Sequence, residues 1–181
     1  CVADIAAQYQ KRRDVLAMNI NALRNRPHYS GLFVYDEVAA RTGDIATIDC
    51  LRTPDPGGYG AGTAAWATAK YQNYVREIGR YKTYLNTTLR SPMPRSRGEA
   101  MMAGLVSVSM RNHDADLFIK NGVNGFFGDS AAELAEQLAW LAANPQRADA
   151  MRQASRRTAM QLFNQDRYLA DWSALLKRIV G

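Results

Sequence analysis

The sequence predicts an α/β fold on a largely parallel sheet, and three observations carry that prediction. Short strand-like apolar runs alternate with segments of helical periodicity. A chain of 181 residues that is 47% hydrophobic is long enough for one substantial core and marginal for two, so residues 1–181 are expected to form one domain. After about residue 130 the pattern becomes wholly helical.

The elements follow in order. Asp14 to Ile20, DVLAMNI, is a short apolar run behind a basic cluster and predicts a buried strand. The polar turn NALRNRPHYS comes next, and GLFVYDEVAA predicts a helix. Asp44 to Ile48, DIATI, predicts a second strand, with LRTPDPGGYGAG as a long loop behind it. In AAWATAKYQNYVREIGRY, Trp66, Tyr74 and Ile78 fall at helical spacing ahead of a third strand in KTYLN. The theme then repeats with SPMPRSRG, a short helix in EAMMA beginning near Arg97, Gly104 as its stop, and the strand LVSVSM. RNHDADLFIKNGVNGFF predicts a short helix, a turn and a strand. Ser130 and Glu133 are spaced as a capping box ahead of Leu134, Leu138 and Leu141, and Asn144–Pro145 reads as N-cap and first residue of the next helix. A last helix from about Asp166 lines up Tyr168, Trp172, Leu175, Leu176 and Ile179 on one stripe.

Composition narrows the function classes. Every long apolar stretch is broken by Arg, Asp, Gln or Asn, so no spanning helix is expected. The opening CVADIAAQYQKRRD has neither a signal nor a transit pattern, and the chain reads as a piece of a longer protein. Cys1 and Cys50 have no metal-ligand or redox spacing, which points to a reducing compartment, the cytoplasm. A net charge of +6 suits either a polyanionic partner or a plain basic surface. The arginines Arg147, Arg152, Arg156 and Arg157 lack interleaved aromatics and read as a solvated helix face rather than a nucleic-acid groove. His28 has no partner in sequence and is expected to be exposed, and GGYGAG at 57–62 lacks both the dinucleotide fingerprint and the P-loop lysine.

The stretch SPMPRSRGEAMMAGL, residues 91–105, carries the most chemistry. A helix opening there presents unpaired N–H groups and roughly half a positive charge at the end of a strand, the place where open α/β sheets bind ligands. Arg90, Arg95 and Arg97 add full charges, a setting that suits a phosphate. The same residues allow a plainer account, because Ser96 and Glu99 are also spaced as a capping box. Cap and anion site both stand at this point.

GEAMMAGLVSVSM, followed by FIKNGVNGFF and by helices ending in QDRYLADWSALL, resembles the carboxyl-terminal half of the GT-B glycosyltransferases of group 1, family 4. Glu99, Ala100, Met101, Gly104, Val106 and Val108 match the core of the family motif, and Gly122 and Gly125 match its downstream glycines. The resemblance holds from about Tyr84 to Gly181. It implies a Rossmann-like parallel sheet with helices on both faces and a helical carboxyl-terminal segment, whose final helix, about 165–181, would cross back to an amino-terminal acceptor-binding domain absent from this chain.

The function implied is the donor-binding half of a retaining, metal-independent glycosyltransferase, holding a nucleotide-diphosphate sugar as substrate, with no cofactor. Glu99 would accept the ribose hydroxyls, a charge-assisted clamp. Pro94 to Gly98, with Arg95, Ser96 and Arg97 among them, would face sugar and diphosphate. Arg24 and Arg26, in the turn after the first strand, would neutralise the leaving diphosphate. Where the family follows them with a lysine, Ser30 and Gly31 stand. The first acid of the family's pair is replaced by Ser91, and its glycine-rich loop by Pro92, Met93 and Pro94. His113 and Asp114 stand where the family has a glycine pair. Bacterial surface polysaccharide or glycoconjugate synthesis in the cytoplasm or at the inner face of the membrane, with peripheral contact through the absent half, is the implied setting. The alternative is a catalytically silent nucleotide- or phosphate-binding module of the same fold, with Ser91 marking the loss.

Overall fold

A computed structural model describes residues 16–18, 23–24, 26–43, 45, 48–51, 69–90, 95–112 and 115–180. In chain order the elements are β1 (Leu16–Met18), α1 (Pro27–Ser30), α2 (Leu32–Thr42), β2 (Ile48–Cys50), α3 (Ala69–Ile78) and β3 (Thr83–Asn86). They continue as α4 (Arg95–Met102), β4 (Val106–Met110), α5 (Ala115–Phe118), β5 (Gly125–Gly128), α6 (Ala131–Ala143), α7 (Pro145–Leu162) and α8 (Gln165–Val180). The five strands form one sheet in the order β2-β1-β3-β4-β5. Every pair is parallel, with Leu16 opposite both Ile48 and Thr83, Thr83 opposite Val106, and Ser107 opposite Gly125.

Parallel strands need crossovers, and the crossovers cover both faces. Alternation along the strands sorts the two cores. Leu85, Val106, Val108 and Met110 point to the face packed by Val34 and Val38 of α2 and by Leu134, Leu138 and Leu141 of α6. Tyr84 and Leu105 point the other way, to Tyr71, Tyr74, Val75 and Ile78 of α3, the methionines Met101 and Met102 of α4, and Ala159 of α7. The small side chains Ser107 and Ser109 alternate with the β4 valines, so they lie toward this second face and let α4 and α7 come close. Ser155 of α7 donates to the Leu105 carbonyl at 2.7 Å, fixing that approach.

Several local expectations hold. Gly104 at φ +73° ends α4: its N–H reaches the Met101 carbonyl and that of Leu105 reaches Ala100, the paired bonds of a Schellman stop. Strands in DVLAMNI, KTYLN and LVSVSM, the helix–turn–strand of DADLFIKNGVNGFF and the apolar face of α6 all form. His28 is exposed.

Others are corrected. The second strand is Ile48–Cys50, so it starts at the last residue of DIATI, while Ile45 sits in a turn closed by its N–H to the Thr42 carbonyl. Ser130 caps α6 by accepting from the Glu133 N–H at 3.2 Å, but Glu133 reaches back one residue further than a capping box requires and accepts from Asp129 N–H at 3.1 Å. Asn144–Pro145 does open α7 as N-cap and first residue, with the Asn144 carbonyl accepting from the Ala148 N–H at 2.9 Å, but the Asn144 side chain turns back to donate to the Trp140 carbonyl at 2.8 Å. The arginines of α7 are not all solvated, because Arg152 is largely buried and paired with Asp149 at 2.7 Å. Trp66 and the 57–62 loop lie outside the described residues.

The stripe on α8 forms as read, with Tyr168, Trp172, Leu175, Leu176 and Ile179 all exposed. No helix among the described residues is long and apolar enough to cross a membrane.

Candidate functional site

The strand order reverses its progression between β1 and β3, since β2 lies to one side of β1 and every later strand to the other. At such a switch point the loops leaving the two strands diverge and open a crevice at their carboxyl ends. The turn after β1 carries Arg24 and Arg26, both exposed. The segment after β3 runs through Thr87, Thr88, Leu89 and Arg90 toward the mouth of α4.

The two walls of this crevice are stitched together. Thr87 Oγ1 donates to the Ser30 carbonyl at 3.0 Å, and the Leu89 N–H donates to the Tyr29 carbonyl at 3.0 Å. Gly31, at the junction of α1 and α2, has φ +69°, and a Cβ there would overlap the Thr87 carbonyl oxygen. Only glycine meets both conditions without strain. The position that breaks the family's lysine expectation therefore serves close backbone approach.

A second set of contacts ties β3 to β4 at the same edge. Asn86 accepts from the Thr88 N–H at 3.1 Å and donates to Ser109 Oγ at 3.3 Å. Asn112, just past β4, donates to the Thr88 carbonyl and accepts from Arg97 Nη2 at 3.3 Å. Arg97 is only 1% exposed, with its guanidinium 5.8 Å from the Phe118 ring centroid. Charged side chains are seldom buried so fully unless hydrogen-bonded, and here the guanidinium braces the loops beneath the crevice.

Helix α4 begins at Arg95, two residues earlier than its expected start. Ser96 is consequently inside the helix and does not cap it; its hydroxyl pairs with that of Tyr84 on β3 at 2.7 Å. Burial pushes the Tyr84 phenol up to about 12. The capping-box account of Ser96 and Glu99 therefore fails. Gly98 leaves room for the Phe163 ring, 3.3 Å from where its Cβ would stand, so that α4 can pack on the end of α7.

Glu99 turns toward α3. Its Oε2 accepts from the Tyr74 hydroxyl at 2.7 Å and its Oε1 from the Tyr71 hydroxyl at 3.1 Å. Arg95 completes the set, with Nε 3.2 Å from Oε1. Glu99 is 7% exposed, whereas the Arg95 side chain is 64% exposed, so the arginine covers the carboxylate from the solvent side. The Tyr71 phenol is pushed far above its ordinary range, first by burial and then by the Glu99 charge, and so remains a donor at any physiological pH.

The arrangement thus offers a buried anionic acceptor one turn into α4, exposed cations at Arg24, Arg26, Arg90 and Arg95 toward the same edge, and a braced floor of Thr88, Asn112 and Arg97. Chemically it can accept hydroxyl hydrogens and attract an anionic group. Ser91, Pro92, Met93, Pro94, His113 and Asp114 lie outside the described residues. Tyr71, Tyr74, Asn112 and Gly31 are the site residues that sequence reading did not single out for the site. The spacing of the two tyrosines puts both on one buried helix face, and buried tyrosine hydroxyls seek partners. A cleft of about 890 Å³ also opens beside β5, lined by Phe126, Trp140, Met151 and others, but it holds none of these groups.

A family model described as glycosyl transferase-like matches residues 36–173. Among solved structures, the pneumococcal O-GlcNAc transferase GtfA in complex with UDP and GlcNAc is similar at 17% identity and a TM-score of 0.68, covering 94% of this chain and 37% of that one. Anabaena HepE in complex with UDP-glucose is similar at 14% identity and a TM-score of 0.61, covering 97% of this chain and 53% of that one. The C-terminal domain of a group 1 glycosyl transferase, LpcC from Francisella tularensis, is similar at 11% identity and a TM-score of 0.61, covering 88% of this chain and 93% of that domain. The chain therefore spans about a third to a half of the two longer proteins and nearly the whole of the isolated domain. No curated protein sequence matches the chain.

Proposed function

Because the chain belongs to the glycosyl transferase-like family and has the Rossmann-like fold of one half of a GT-B enzyme, we propose that it binds the nucleotide-diphosphate sugar donor of a glycosyltransferase. The observation that carries this reading is the placement of Glu99. A carboxylate is held almost fully buried at the switch-point edge of the sheet, next to the exposed Arg95. Ribose hydroxyls are donors that such an acceptor suits, and a diphosphate is the group the cations suit.

In this reading the reaction is retaining and needs neither metal nor cofactor. Bond cleavage between sugar and phosphate places charge on the departing diphosphate, and Arg24, Arg26 and the mouth of α4 stabilise it through positions set in advance. Arg95, Ser96, Arg97 and Gly98, in the first turn of α4, are assigned to the sugar side of that mouth, as is Ser91 on the sequence resemblance alone. Arg97 contributes from below, through Asn112. An acceptor-binding domain completes the site, and the exposed stripe of α8 is the surface that meets it. A place in surface polysaccharide synthesis, in the cytoplasm at the inner face of the membrane, accords with this reading.

The test is a thermal-shift titration with UDP, GDP and their sugar conjugates at constant ionic strength. A ligand at a hundred times its dissociation constant stabilises by roughly 2.7 kcal/mol, well within detection. A saturable shift that persists in raised salt supports the reading. A shift matched by any polyanion and erased by salt marks the basic surface alone and overturns it. Turnover of a bound nucleotide sugar by the complete protein separates an active transferase from a silent binding module.

A further inference from the structure

We propose that Tyr71 and Tyr74 are positioning residues that hold the Glu99 carboxylate so that its outward lone pairs receive the vicinal hydroxyls of a ribose, a place Arg95 occupies until the ligand arrives. The inference rests on the nucleotide-binding reading above and concerns residues of α3, 25 and 28 positions before Glu99 in the chain.

A carboxylate has about four lone-pair positions. Tyr74 takes one on Oε2 and Tyr71 one on Oε1, both from the buried side, and Arg95 approaches Oε1 from the exposed side. Among the described residues one position stays open, and release of Arg95 opens a second. Two is the number a vicinal diol fills. Arg95 is the contact able to yield, since its side chain is mostly in water and can swing back into it, whereas the tyrosines approach from the buried side. The tyrosines cannot yield. Their rings are buried against each other, with centroids 5.8 Å apart and planes tilted by 48°.

The residue type matters as much as the geometry. A lysine in place of either tyrosine would hold Glu99 by neutralising it, and the acceptor would weaken. Two phenols orient the anion and leave its charge intact for the ligand. Burial, and after it the Glu99 charge, raise the Tyr71 phenol, so this donor does not ionise where the site would work.

The test compares UDP with 2′-deoxy-UDP, and GDP with its 2′-deoxy form, by calorimetry on the full chain, in wild type, Y71F and Y74F. Each variant keeps its ring and loses one hydroxyl, and the pair guards against one of them failing to fold. Wild type is expected to favour the ribonucleotide. Each variant should narrow that preference by about three- to tenfold, the size of one ordinary hydrogen bond, since the tyrosines act on the ligand only through Glu99. A purely structural role would lower the melting temperature and leave the ribo-to-deoxy ratio at its wild-type value, which overturns the proposal. If wild type itself shows no ribose preference, the nucleotide-site reading falls, and this inference with it; a wild-type preference kept intact in both variants refutes the tyrosines alone.

Discussion

Substituting Gly31 by alanine tests whether the crevice is held together as described. Two separate penalties apply. The backbone at φ +69° costs an L-residue about 1–2 kcal/mol. The new Cβ also overlaps the Thr87 carbonyl oxygen, which is backbone and cannot swing aside as a side chain would. The loop after β3 must retreat and loses its bonds to the Ser30 and Tyr29 carbonyls, each worth about 1 kcal/mol net. The sum is about 3–4 kcal/mol, a large part of the stability of an ordinary domain. Two further glycines separate the terms. Gly122 also has positive φ, +75°, but nothing stands within 4 Å of its Cβ position, so Gly122→Ala should cost about 1–2 kcal/mol from the backbone alone. Gly43 is right-handed at φ −55° with only ordinary contact at 3.6 Å, so Gly43→Ala should be neutral or stabilise by about 0.5 kcal/mol. Urea unfolding followed by far-ultraviolet circular dichroism gives all three numbers. Equal costs for Gly31→Ala and Gly122→Ala would refute the clash, and with it the close approach of α1 to the β3 loop.

Three further outcomes follow from the packing and the charges. Leu134 is fully buried between α6 and the sheet, so Leu134→Ala should destabilise by about 2–5 kcal/mol in the same assay. Trp172→Ser and Leu176→Ser, on the exposed stripe of α8, should each change the stability of this chain by no more than about 0.5 kcal/mol. The Tyr84 phenol is raised to about 12 in the fold against about 10 in the unfolded chain. Its neutral form is therefore favoured by folding, so this contribution is full below pH 10 and is lost as pH rises toward 12. Unfolding midpoints across that range, compared with Tyr84→Phe, should show the loss in wild type and a smaller one in the variant.

Much of the fold was legible because its signals are local. Alternating residues in LVSVSM, a glycine behind EAMMA and leucines at helical spacing after Ser130 each restrict the backbone where they stand. The second strand was placed a few residues early because the β-branched Ile45, Thr47 and Ile48 all fall in DIATI, whereas pairing with β1 selects Ile48 and the two residues after it. Ser96 and Glu99 show a different limit. Three-residue spacing is shared by a capping box and by any two neighbours inside a helix, and only the true start at Arg95 separates the cases. Arg97 was grouped with Arg90 and Arg95 as a charge suited to a phosphate, since nothing in its neighbours announces that Asn112 and Phe118 will enclose it. The tyrosines that grip Glu99 come from another helix altogether, a contact set by the sheet order and invisible to any window on the motif.

The nucleotide site built around Glu99 is tested most directly by Glu99→Gln, with UDP and GDP binding measured by calorimetry beside a melting curve. Glutamine keeps the size and one acceptor of the glutamate, and its amide can donate to a tyrosine hydroxyl, so the fold should survive with a cost of about 1–2 kcal/mol. Loss of the charge at a ribose contact should weaken nucleotide binding about ten- to a hundredfold. An unchanged affinity in a folded Glu99→Gln protein would contradict the account, leaving Glu99 as a buried brace between α3 and α4 and nothing more.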